Sequence, residues 1–107
     1  MVLELNIGLN NNPKDVDGIV SFLNRKLWDS PITYKTVMGE YNGNEEPTLY
    51  IVYEIDSYLE SVMVSICDTL TQESIAYKLD GVGGIAYSSS YIGDEFKFNE
   101  KYFIDEN

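Results

Sequence analysis

The sequence predicts an α+β fold: a ferredoxin-like split β-α-β-β-α-β unit, an antiparallel sheet with two helices on one face, plus a short extra strand and an aromatic C-terminal tail. Three observations carry this reading. Leu3, Leu5, Ile7 and Leu9 alternate with Val2, Glu4, Asn6 and Gly8, the period of a half-buried strand. Two later stretches space their apolar residues at helical period, and between them two β-branched and aromatic runs flank a cluster of turn formers.

Taken in order, residues 2–9 are the first strand. Asn10-Asn11-Asn12-Pro13 supplies a turn, an N-cap and a proline at the first helical position, with Asp15 and Asp17 near the positive end of the helix dipole. Val16, Ile19, Val20, Leu23 and Leu27 then make one apolar stripe, predicting a helix over 13–28 that ends before Ser30-Pro31. Residues 32–41 and 48–55 read as a hairpin closed by Asn42-Gly43-Asn44-Glu45-Glu46-Pro47. Ser57-Tyr58-Leu59-Glu60 is a capping box, so a second helix is expected from 58, with Leu59, Val62, Met63, Ile66 and Leu70 as its stripe.

Ile75, Tyr77 and Leu79 alternate with Ala76 and Lys78 as a fourth strand. Asp80-Gly81-Val82-Gly83-Gly84 reads as a flexible turn into a short fifth strand at 85–88. Phe96, Phe98, Tyr102, Phe103 and Ile104 form the aromatic tail. The second side of the third strand, Tyr50, Val52 and Glu54, is partly apolar, so either the tail or a partner is expected to cover it.

At 107 residues the chain is read as a single domain, residues 1–107, and a 44% hydrophobic, 13% aromatic composition is that of a folded protein. Its formal charge of -11 is unevenly placed. Up to residue 39 the acids Glu4, Asp15, Asp17 and Asp29 are balanced by Lys14, Arg25, Lys26 and Lys35, whereas Thr36 to Tyr77 contains no base at all. Such a field repels nucleic acid and anionic lipid and attracts basic surfaces. Cys67 has no partner for an internal disulfide, no apolar run is long enough to span a bilayer, and MVLELNIG lacks the basic leader of a secretory signal. The expected setting is the cytoplasm.

The motifs that suggest chemistry each have a structural account. Asp15-Val16-Asp17-Gly18 resembles part of a calcium loop, but Pro13 and Asn24 would occupy its first and twelfth places, where carboxylates are needed. Gly81-Val82-Gly83-Gly84 lacks the Lys-Ser/Thr of a phosphate loop and leads into a strand. Cys67 has no histidine anywhere in the chain to activate it and reads as a buried small apolar residue. Glu45-Glu46, Glu54 with Asp56, and Asp94-Glu95 are acid pairs on loops and strand ends, where solvation is their ordinary fate. The expectation is therefore no enzyme, no metal and no cofactor.

Size, acidity and low cysteine content resemble those of phage-encoded inhibitors of host defence, the anti-CRISPR and anti-restriction proteins. The segment from Leu70 to Gly84, LTQESIAYKLDGVGG, is similar to the C-terminal part of small phage proteins. Bacterial immunity proteins against basic nuclease toxins are similarly small and acidic. The resemblance implies a non-enzymatic acidic binding protein that occupies the basic nucleic-acid-binding surface of a host protein, a nucleic-acid mimic that itself binds neither nucleic acid nor membrane. The expected partner-binding residues are Glu40, Tyr41, Glu45, Glu46, Tyr50, Glu54, Asp56, Tyr58, Glu60, Asp94 and Glu95. The alternatives are a small phage structural protein that dimerises through its sheet face, or an immunity protein.

Overall fold

In the computed structural model of the chain, residues 1–9, 15–41 and 44–94 are described. The fold is α+β, with elements in the order β1 (Val2–Gly8), α1 (Val16–Leu27), β2 (Pro31–Tyr41), β3 (Asn44–Glu54), α2 (Glu60–Thr69), β4 (Ser74–Leu79) and β5 (Val82–Tyr87). All five strands join one open sheet in the order β2-β3-β1-β4-β5, and every neighbouring pair is antiparallel. The sheet is thus five strands wide rather than a four-strand layer with a short appendage, because β5 is as long as β4 and pairs with it throughout.

The alternation in β1 sets the layers. Leu3, Leu5 and Ile7 have no exposed surface and face the helices, opposite Tyr53, Ile51 and Leu49 of β3 in register. Ile19, Val20 and Leu23 of α1 and Met63, Ile66 and Cys67 of α2 close the same cluster, so both helices pack on one side of the sheet. On the other side lie Val2, Glu4, Asn6, Tyr50, Val52, Lys78 and Ile85, alternating with the core residues. The aromatic tail expected to cover that side lies outside the described residues, as do Asn10 to Lys14.

Several boundaries differ from the sequence expectation. The first helix begins at Val16, with Asp15 as its N-cap accepting a hydrogen bond from the Gly18 amide at 3.0 Å. Asp15 thus caps the helix from just outside it, at the positive end of its dipole. The hairpin strands run further than expected, since Glu40 pairs with Glu45 and Tyr41 with Asn44, leaving only 42–43 between them.

The capping box at Ser57 does not form. α2 starts at Glu60 behind an extended Leu59 that offers no side-chain cap, and Leu59 is 57% exposed. Asp80 and Gly81 both have positive φ, 49° and 83°, the paired left-handed conformation of a two-residue turn that matches strand twist. That tight turn releases Gly83 and Gly84 from the loop and places them inside β5.

Candidate functional site

Among the described residues, a groove of about 530 Å³ opens where α2 meets the edge strand β5. Tyr58, two residues before α2, and Tyr77 of β4 stack at 5.4 Å between ring centroids and 27° between planes. Tyr77 faces the helices because Ile75 and Leu79, two residues to either side, do so. Its cross-strand partner is Gly84. A Cβ on Gly84 would stand 2.6 Å from both Cζ and Oη of Tyr77, so the ring lies against bare backbone. Burial, then the hydrogen bond with Tyr77, then nearby charge hold the Tyr58 hydroxyl well above the ordinary phenol range.

Glu60, the first residue of α2, brings an exposed carboxylate to the groove rim, where the amide-rich helix start also favours it. At the other end the groove is closed by the turn after β5. The Asp68 carboxylate accepts from the Ser89 amide at 2.8 Å and from the Ser89 hydroxyl at 2.7 Å, and these bonds lower its pKa. Tyr87 and Tyr91 stack beside this turn at 4.6 Å. Beneath it, the Cys67 thiol donates to the Ala86 carbonyl at 3.6 Å, and burial, helped by Asp68, pushes its pKa up to about 12. Cys67 is thus a packing residue with no thiolate to offer near neutral pH. The groove combines a flat aromatic wall, one rim carboxylate and no lysine or arginine among its described lining residues. Such a surface suits a small organic cation with a planar part.

Of the eleven residues expected to bind a partner, the fold brings only Tyr58 and Glu60 into this groove. Glu45 and Glu46 lie at one end of β3 and Glu54 at the other, separated by about 30 Å along an extended strand. The Glu46 carboxylate is folded over Gly8, where a Cβ would meet its Oε1 at 2.6 Å. Tyr50 is on the sheet side away from the helices and donates its hydroxyl proton to Glu4 of β1. Asp56 is exposed just beyond β3, and Asp94 is exposed with its carbonyl accepting from the Tyr91 hydroxyl at 2.9 Å.

Glu40 and Tyr41 are placed only by their backbone pairing, their side chains being outside the described residues, as is all of Glu95. Among the described residues no group of acids or cysteines is placed to hold a metal, and no helix is long and apolar enough to cross a membrane.

Sequence reasoning missed Tyr77, Gly83 and Gly84 as groove residues. The signal was present in Asp80-Gly81: taken as a two-residue turn, it fixes Leu79 opposite Val82 and hence Tyr77 opposite Gly84.

No family model matches the chain, and no curated protein matches it. In fold the chain is similar to a phage SAM lyase in its apo state, with a TM-score of 0.58 over 85% of this chain and 91% of that one, at 14% identity. The structural likeness is therefore to a phage protein, in keeping with part of the sequence resemblance, but it corrects the functional expectation. Charge and size alone point to a non-enzymatic acidic binder and to no enzyme, whereas the fold the chain adopts is one on which an enzyme is built. The error has a physical origin: charge and size describe a surface that many folds share, and they do not report which fold carries it.

Proposed function

We propose that this chain is a phage-type enzyme that cleaves a sulfonium substrate, S-adenosylmethionine or a near analogue, by lyase chemistry in the α2–β5 groove. The observation that carries the reading is the likeness in fold to a phage SAM lyase across 85% of this chain and 91% of the other. The strand order β2-β3-β1-β4 also supports a split βαβ core, to which β5 adds the groove's second wall.

In such a reaction a C–S bond of the sulfonium breaks, and both bonding electrons leave on sulfur as a neutral thioether. The carbon fragment restores its valence within itself by closing onto its own carboxylate oxygen, so the carboxylate and sulfonium charges are lost together and no proton has to be removed. No water, metal or redox partner enters the balance. The groove supplies what the step needs. The Tyr58 and Tyr77 faces and the Glu60 carboxylate attract and orient the cation. The raised Tyr58 pKa keeps its hydroxyl a neutral donor throughout the physiological range. The acidity of residues 40–107 acts at longer range by drawing in a positively charged substrate.

The test is to incubate the purified full chain with S-adenosylmethionine, without any methyl acceptor, and to separate the nucleosides by chromatography. Loss of the sulfonium matched by an equal gain of adenosyl thioether is expected. Glu60→Gln should lower kcat/KM by about tenfold, since one charge at about 5 Å in a partly solvated groove is worth about 1–3 kcal/mol. Unchanged S-adenosylmethionine, together with no saturable binding of it, would refute the proposal.

A further inference from the structure

Resting on that reading, we infer that Gly84 is a positioning residue: it seats the Tyr77 ring against Tyr58 so that the pair forms the platform on which the adenine ring of an adenosyl ligand stacks. Gly84 is not among the glycines with positive φ, and it sits in the middle of a regular strand, where glycine is a poor residue on propensity. A turn-forming role is thus excluded, and what remains is the space above its Cα.

That space is filled by Tyr77. A Cβ there would lie 2.6 Å from Cζ, 2.6 Å from Oη and 3.0 Å from Cε1, contacts that oblige the ring to move. Tyr77 cannot yield without disturbing Tyr58, which stacks on it at 5.4 Å. Half-buried packing against the core restrains both rings from below. A methyl group at position 84 therefore acts on the aromatic wall of the groove through Tyr77, although Gly84 has no side chain with which to hold a ligand.

The experiment is a double-mutant cycle with Gly84→Ala, Tyr77→Leu and the combined variant, Leu being short enough to clear the added methyl. Two readouts are taken on the full chain: S-adenosylmethionine turnover, and equilibrium binding of methylthioadenosine, a neutral thioether that carries the adenine ring without the sulfonium charge. Each single substitution should weaken methylthioadenosine binding about tenfold, the scale of one lost stacking platform. The combined variant should also be about tenfold weaker rather than a hundredfold, because both changes remove the same ring.

Thermal unfolding separates folding from positioning: the combined variant should recover stability lost in Gly84→Ala while binding stays weak. Losses that multiply, or Gly84→Ala binding as tightly as the parent chain, would overturn the inference while leaving the lyase reading intact if turnover is seen. A parent chain that neither turns over S-adenosylmethionine nor binds methylthioadenosine overturns both.

Discussion

Replacing Tyr53 with Phe removes one oxygen from the centre of the core, and the consequences for stability differ between neutral and alkaline pH. The Tyr53 side chain is fully buried on β3, and its hydroxyl donates to Asn24 Oδ1 of α1 at 2.7 Å, a bond between sheet and helix. Loss of a neutral hydrogen bond whose acceptor stays half-buried and reachable by water costs about 1 kcal/mol. With an unfolding entropy of about 0.22 kcal/mol/K for a chain of this size, Tm should fall by about 4–5 °C at pH 8.

At high pH the order changes. Burial, with a smaller contribution from Asp29, raises the Tyr53 pKa above its ordinary 10.0, so the folded state keeps a proton that the unfolded chain releases. A raised pKa contributes stability that is present below 10.0 and lost as pH rises toward the native value, by up to about 1.4 kcal/mol per unit. The parent chain's advantage of about 1 kcal/mol should therefore vanish about one unit above 10. Solvent at Asn24 screens part of the effect, which widens the meeting point to about pH 11–12. Urea unfolding followed by circular dichroism at half-unit steps from pH 8 to 12 measures both curves, and the titrations shared by the two proteins cancel in the comparison. A gap that stays constant across that range would refute the assignment of a protonated, buried Tyr53 hydroxyl.

The remaining predictions are simpler. Ser57→Ala should change stability by less than about 0.3 kcal/mol in a urea titration, because α2 begins at Glu60 and has no side-chain cap to lose; a fall of about 1 kcal/mol would mean that the capping box forms after all. Cys67 should resist aromatic disulfide reagents at pH 8 in the native protein and react fully in denaturant, since it has no exposed surface and its pKa is pushed up to about 12. The Asp68 pKa is lowered, so its bonds to Ser89 contribute above the ordinary value of 3.8 and are lost as pH falls below it. Hydrogen exchange of the Ser89 amide should accelerate in that acid range relative to core amides of β1, and an Asp68→Ala variant should show no such pH dependence.

The layers of the fold were legible because burial leaves a period in the sequence. Leu3, Leu5 and Ile7 gave β1 its inward face, and Ile19, Val20 and Leu23 gave α1 its stripe, with no help from tertiary context. Element starts were less legible, because a cap is a competition. Asp15 displaced Asn12, and Ser57 gave way to an uncapped start that leaves Tyr58 outside the helix and stacked on Tyr77. The groove was nearly illegible. Tyr77 reads as core, Gly84 reads as turn, and only the two-residue turn between them reveals that they touch. Acidity, the loudest feature of the chain, pointed elsewhere, since Glu45 and Glu54 sit at opposite ends of one strand.

The central position of β1 also shapes how the molecule assembles. This strand is made early, yet both its hydrogen-bonding edges wait for partners far downstream: residues 48–54 on one side and 76–79 on the other. Until residues 76–79 are in place, the second edge of β1 stays unpaired beside the apolar Leu3, Leu5 and Ile7, the kind of edge that invites intermolecular pairing. Maturation is thus gated by long-range closure rather than by local helix formation, and refolding should be slow for a polypeptide of this length and sensitive to protein concentration.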